Sequence, residues 1–153
     1  MSTIKTKIDT LLGKILITIM GLMVINVLWQ VFTRFVLGDP SSFTDELARF
    51  LMIWLGVLGA AYVSGKNMHV AIDLLPSRAN QKRKARMRAT VDVLIILFAF
   101  AALVVGGSRL VYISYILGQH SPALQIPMSL VYITIPISGM LIIYFKIDKR
   151  IKG

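Results

Sequence analysis

DPSSFTDELARFLMIWLGVLGAAYVSGKNMHVAIDLL, Asp39 to Leu75, is the stretch whose reading decides the fold. Pro40 and Ser41 interrupt whatever precedes them, and Ser42 with Asp45 three residues later is a capping-box-like helix start. Asp45 and Glu46 then fall in the first turn, where the positive end of the helix dipole favours carboxylates. Arg49 lies four residues after Asp45 and three after Glu46, so the three share a face and can pair. From Phe50 the helix turns apolar. Gly56, Ala60 and Ser64 recur every four residues, with Gly59 beside them, and make a small-residue ridge that another helix, of this chain or of a partner subunit, can approach closely.

Outward from this stretch the chain is built of similar apolar blocks. It has 153 residues, 56% of them hydrophobic, with a mean hydropathy of +0.75. So short a soluble chain cannot hide that much apolar surface, and the blocks are not amphipathic. The composition therefore predicts a single all-α integral membrane domain over residues 1–153. The absence of cysteine excludes disulfides, thiolate zinc sites and iron–sulfur clusters. A net charge of +10 would suit nucleic acid, but its distribution reads as membrane topology instead.

Four spans are expected, at about 15–37, 47–65, 90–112 and 127–146, each long enough for a hydrocarbon core of roughly 30 Å. Before the first, Ile4, Ile8, Leu11, Leu12 and Ile15 recur at helical spacing among Lys5, Lys7 and Lys14, an amphipathic lead-in along the membrane surface. The long apolar run that follows has no small-residue cleavage site and does not read as a cleaved signal. Asn26 and Gln30 are uncharged polar residues inside the first span, and Arg34 snorkels at its end. Met68 to Leu75 is too short to cross and reads as an interfacial or tilted continuation of the second span. Residues 76–89 form a basic loop free of glycine beyond Pro76, so a helix is expected to run from about Arg78 to Leu117, on the order of 60 Å, long enough to need strong tilt. Ala102 and Gly106 are its small packing positions. In the fourth span Pro136 and Gly139 are the expected kink points.

Lysine and arginine set the orientation. Three lie in the N-terminal segment, seven between Lys66 and Arg88 and four in the tail, so fourteen of the seventeen fall on one side of a four-span chain. The positive-inside rule puts both termini and the basic loop in the cytoplasm. Arg34, Arg49 and Arg109 lie towards the opposite ends. Tyrosines fall near both interfaces, whereas Trp29 and Trp54 sit deeper than an aromatic belt, in contact with a partner or with lipid.

Catalysis has little to work with. His69 and His120 fall at opposite depths and cannot share a metal or haem, and there is no nucleophile–base pair and no phosphate-binding loop. The chain is expected to be neither an enzyme nor a cofactor carrier. Arg78, Lys82, Arg83, Lys84, Arg86 and Arg88 read as an orientation signal in contact with anionic phospholipids, not nucleic acid. A solute path usually needs ionisable groups or unwound backbone at the midplane. Every formal charge here lies near an end of a span, which points to a support for another membrane protein. At the outer rim Arg34, Asp39, Asp45, Glu46 and Arg49 are the candidates for docking a partner; the plainer reading of the acids is helix capping. Two other classes stay open. A stand-alone small exporter should carry a midspan carboxylate, and an anchoring or assembly subunit of another complex would need paired histidines if it held haem.

WQVFTRF (Trp29–Phe35), TDELARFLMIWLGVLGAAY (Thr44–Tyr62), HVAIDLLP (His69–Pro76) and SPALQIP (Ser121–Pro127) resemble, in order and spacing, the small membrane subunit of tripartite ATP-independent periplasmic (TRAP) transporters, the DctQ family. Phe43 departs from the tryptophan common before the acidic pair. The resemblance implies a bacterial inner-membrane subunit that joins a large membrane subunit carrying the substrate and sodium sites. It also implies a soluble periplasmic binding protein that delivers an organic acid. In that reading the small chain braces the scaffold and adds to the docking surface, with sialic acid the favoured substrate and a C4-dicarboxylate next.

Overall fold

The computed structural model describes residues 3–39, 41–66 and 81–152. Apart from short turns and the 118–127 loop the described residues are helical, and the only β pairing among them is a single bridge between His120 and Pro127. Helix α1 (Thr3–Phe32) ends in a wider π-helical turn, Thr33–Leu37, closed by Gly38 in the left-handed conformation, φ 69°. Helix α2 is Ser42–Gly65. The third crossing is α3 (Gln81–Phe98), a π-helical stretch Ala99–Gly106 and α4 (Gly107–Ile116), run together without a break. The fourth is α5 (Met128–Tyr132) and α6 (Thr134–Lys152).

Among the described residues four helical runs are long and apolar enough to cross a bilayer: Lys5–Leu37, Ser42–Gly65, Ala89–Ile116 and Met128–Asp148. Their number is the expected four; the second begins at Ser42 where about 47 was expected, the third ends at Ile116 where about 112 was expected, and the largest difference of extent is at the N-terminus. The N-terminal lead-in is no separate surface element. Thr3–Phe32 is one unbroken helix, and Leu12 and Ile19 on its periodic face are buried in the same cluster. Lys5 and Asp9 are buried as well. Of the apolar residues that suggested a surface helix, Leu12 is buried and Ile8 packs against the cluster, while Leu11 and Ile15 are exposed.

The helices lie as a row in the order α1, α2, α6 and the third crossing, with neighbours packing on neighbours. One apolar cluster joins α1, α2 and α6 through Leu12, Ile19, Leu51, Leu58 and Phe145. A second joins α2, α6 and the third crossing through Ala61, Ala99 and Ile142. A row leaves its flanks uncovered, so Ile17, Ile25 and Leu28 on one side and Leu97 and Phe98 on the other are exposed.

Small residues set how close the helices come, and within the chain the closest approaches are at Gly139, Gly107 and Gly65. A Cβ on Gly139 would lie 2.7 Å from Leu103 Cβ, and one on Gly107 would lie 2.8 Å from Ile135 Cγ2 and 3.0 Å from Pro136 Cδ. A Cβ on Gly65 would lie 2.8 Å from an Asp9 carboxylate oxygen and 3.2 Å from Phe145. Gly56 and Gly59 have nothing within 4 Å of where a Cβ would stand, and Ala60, Ala102 and Gly106 are exposed. Of the six expected packing positions only Ser64 is buried within the chain. The cause is simple. Each residue turns the helix by about 100°, so the buried face carries Leu58, Ala61 and Gly65, and the four-residue ridge beside it turns outward.

The fourth crossing breaks at Ile133, and Pro136 falls in the first turn of α6, where its missing N–H costs no helix bond. Gly139 is no kink point; it lies inside the helix at the closest approach to the third crossing. The break leaves the Val131 carbonyl to accept from Trp54 Nε1 and from Thr134 Oγ1, both at 3.0 Å. Trp54 is thereby accounted for within the chain, whereas Trp29 is exposed, its ring tilted against Phe32 with centroids 5.8 Å apart.

Candidate functional site

Two polar groups form where α1 ends, α2 begins and the α4–α5 loop turns. The first joins α1 to α2. Asn26, buried in the first span, donates from Nδ2 to the Thr44 carbonyl at 2.7 Å. One turn on, Gln30 Nε2 donates to Asp45 Oδ1 at 3.2 Å, and the other oxygen of Asp45 pairs with Arg49 Nη2 at 2.8 Å. The two polar residues inside the first span therefore fasten the start of the second. Arg34 lines an open groove of about 470 Å³ with Gln30, Phe35, Ser41, Ser42 and Asp45. Its guanidinium lies over the Phe35 ring at 5.9 Å, and no ion pair among the described residues joins it to Asp45 or Glu46. Asp39 is exposed just past the Gly38 turn.

The start of α2 differs in detail from the capping-box reading. The N-cap is Ser41, one residue earlier than expected, and no side chain caps the helix. Asp45 is drawn away to Arg49 and Gln30, while Thr44 Oγ1 turns back to the Ser41 carbonyl at 2.9 Å.

The second group is built on Glu46. Its Oε2 accepts from the Ser121 hydroxyl in a short hydrogen bond, from the Ala123 amide at 2.9 Å and from the Leu124 amide at 2.8 Å. Residues 45 and 46 are a helical step of about 100° apart, so neighbouring carboxylates serve different elements. The expected three-way network of Asp45, Glu46 and Arg49 is thus divided: Arg49 pairs with Asp45, and Glu46 binds the loop.

The loop itself is closed. Ser121 N donates to the Ile126 carbonyl at 3.0 Å, Gln125 N to the Ser121 carbonyl at 3.0 Å and Met128 N to the Gln119 carbonyl at 2.9 Å. Gly118 supplies a positive φ of 56° where α4 ends, and Gln125 takes φ 54°, uncommon for a residue with a side chain. Ser121 is fully buried under Glu46. Successive N–H groups aimed at one oxygen form the kind of concavity that binds anions, and here the chain's own carboxylate fills it.

At the opposite end of the row Lys146 Nζ, 2% exposed, pairs with Asp92 Oδ1 at 2.7 Å and ties the fourth crossing to the third. Lys82, Arg83, Lys84, Arg86 and Arg88 belong to the first turns of α3, and Arg86 is exposed. Arg78, His69 and the whole Met68–Leu75 piece lie outside the described residues. His120 is exposed and donates from Nδ1 to its neighbour's carbonyl, Gly118 O, at 2.7 Å. Among the described residues no three histidine, aspartate or glutamate side chains come together to hold a metal.

Sequence reasoning missed Ser121 and the 123–124 amides, the Asp92–Lys146 pair and the Trp54 bond. For Ser121 a signal was present: a serine ahead of a proline in a loop otherwise devoid of charge, on a chain with an acid to place.

Four bilayer-length helices, fastened by polar bonds at their ends and by close packing between, define a small polytopic membrane subunit. Residues 23–152 match the family described as tripartite ATP-independent periplasmic transporters, DctQ component, and the chain belongs to that family. It is 29% identical over 126 residues to a Haemophilus influenzae protein named as a TRAP transporter small permease, covering 82% of this chain and 76% of that one. It is 23% identical over 138 residues to the sialic acid TRAP transporter small permease of Vibrio cholerae, covering 88% and 76%. To the ectoine TRAP transporter small permease of Halomonas elongata it is 30% identical over 148 residues, covering 88% and 71%. The chain is accordingly a small permease subunit of a TRAP transporter, and not an enzyme.

Proposed function

We propose that this subunit braces a large membrane subunit of a bacterial inner-membrane TRAP system and helps it receive a soluble periplasmic binding protein. The system would take up an organic acid with sodium. The observation that carries the reading is where the polar work is done. Among the described residues the charged side chains that join one element to another, Glu46, Asp92 and Lys146, lie near helix ends; the bonds made deeper in the spans come from the uncharged Asn26 and Trp54, and the flanks of the row are apolar and uncovered. Such a unit suits a fixed scaffold: among the described residues no ionisable side chain lies at the middle of a span, where a carrier usually keeps one. Substrate and sodium then bind in the large subunit, and this chain takes no cofactor. The positive-inside count favours cytoplasmic termini and a cytoplasmic basic segment in contact with anionic phospholipids. The Glu46 end of the row then faces the periplasm, beside Arg34, Asp39, Asp45 and Arg49.

Relatives named for sialic acid and for ectoine both handle a carboxylate-bearing solute. Sialic acid is the first choice of substrate and a C4-dicarboxylate the second. The test is reconstitution. Proteoliposomes with both membrane subunits, a sodium gradient and loaded binding protein should accumulate labelled sialic acid, and vesicles lacking either membrane subunit should not. Uptake by this chain alone would refute the bracing role.

A further inference from the structure

Glu46 was expected on the rim, but its carboxylate is turned onto the loop that joins α4 to α5. We propose that Glu46 is a positioning residue that holds this loop, residues 118–127, in the shape a soluble binding protein meets, with His120, Pro122, Ala123 and Gln125 forming the contact. The inference rests on the functional reading above and goes beyond it by naming the element that docks and the residue that shapes it.

Three observations converge. The first is the binding of the loop. One carboxylate oxygen takes three donors from a four-residue stretch, one of them a fully buried hydroxyl. Without Glu46, the Ala123 amide loses its acceptor, and the Leu124 amide keeps only a longer 3.4 Å bond to Ser121 Oγ. The second is shape. Gln125 holds a left-handed backbone, a conformation that persists where the surroundings over-determine it. A loop ordered in advance spares a partner the entropy of ordering it on contact.

The third observation is composition. His120, Pro122, Ala123 and Gln125 are exposed, and the loop 118–127 that carries them contains no lysine, arginine, aspartate or glutamate. The Lys66–Arg88 connection, by contrast, is strongly basic. Protein interfaces have this arrangement: a core depleted of charge inside a charged border. Here the charged neighbour is the exposed Asp45–Arg49 pair, on the same turn of α2 as Glu46.

The test uses the assembled complex in proteoliposomes, with uptake followed as loaded binding protein is titrated. Glu46→Ala should raise the half-saturating concentration of binding protein about tenfold while the plateau stays within about twofold. Glu46→Gln keeps an oxygen acceptor in place and should recover most of that loss. Ala123→Trp leaves the clamp untouched and should raise the half-saturating concentration by a comparable factor. Hydrogen exchange at the Ala123 and Leu124 amides should quicken in Glu46→Ala while core amides stay protected. The proposal is overturned if the half-saturating concentration is unchanged in both Glu46→Ala and Ala123→Trp. It is also overturned if Glu46→Ala lowers only the plateau or strips the large subunit on purification, which would make the loop a contact within the membrane complex. Wild-type uptake that ignores added binding protein would instead remove the functional reading, and the proposal with it.

Discussion

The two ends of the helix row handle carboxylates differently. At one end Asp92 meets a lysine directly, and that lysine is almost wholly buried. At the other, Glu46 is met by neutral donors, a hydroxyl and two amides, while the ion pair beside it, Asp45–Arg49, stands in the open with side chains 49% and 70% exposed. The difference teaches what each contact is for. A buried pair locks two helices, because separating it strands a charge. A carboxylate seated on backbone amides instead dictates the path of a loop, and an exposed pair does little for either.

Lys146→Met should break the comparison hardest. It leaves Asp92 without its partner in an apolar setting, and the expected cost is about 3–5 kcal/mol, read as a fall in thermal stability of the detergent-solubilised complex. Adding Asp92→Leu should recover most of it; no recovery would mean that Lys146 acts through some other contact. Between the two ends the row is held by shape, and the next effect in size belongs there. Gly139→Ala drives a Cβ into Leu103 and should cost about 1–3 kcal/mol, whereas Gly56→Ala meets nothing within the chain and should leave its stability level or slightly raised. If Gly56→Ala instead weakens co-purification with the large subunit, the outward ridge is a partner contact. Arg49→Ala should be smallest, below about 1 kcal/mol, and further reduced in high salt. A larger loss would move that pair from ornament to structure.

Much of the fold was legible because it depends on local quantities. The number of spans follows from apolar run length, as Ser42–Gly65 and Met128–Asp148 illustrate. A break near Pro136 follows from its missing N–H, although the break itself falls at Ile133. The start of α2 was legible to within one residue: Ser41 caps where Ser42 was expected. The candidate site was half legible. Asp45, Glu46 and Arg49 were singled out, but not that Glu46 would leave Arg49 for Ser121, seventy-five positions away. The N-terminal lead-in was misplaced for a related reason. Amphipathic spacing at Ile8 and Leu12 suits a membrane surface and a helix neighbour equally well, and only the position of α2 distinguishes them.

By itself the sequence determined that four apolar helices would form, roughly where they begin and end, that charge would gather at their ends, and that the chain resembles a transporter's small subunit. Only the tertiary structure decided which face of each helix is turned inward, why Gly107 and Gly139 pack while Gly56 does not, and what Glu46 holds. In water, burial and polarity label the two faces of a helix. In a bilayer both faces are apolar, so hydrophobic periodicity carries little about neighbours, and packing shape with a few polar bonds makes the choice.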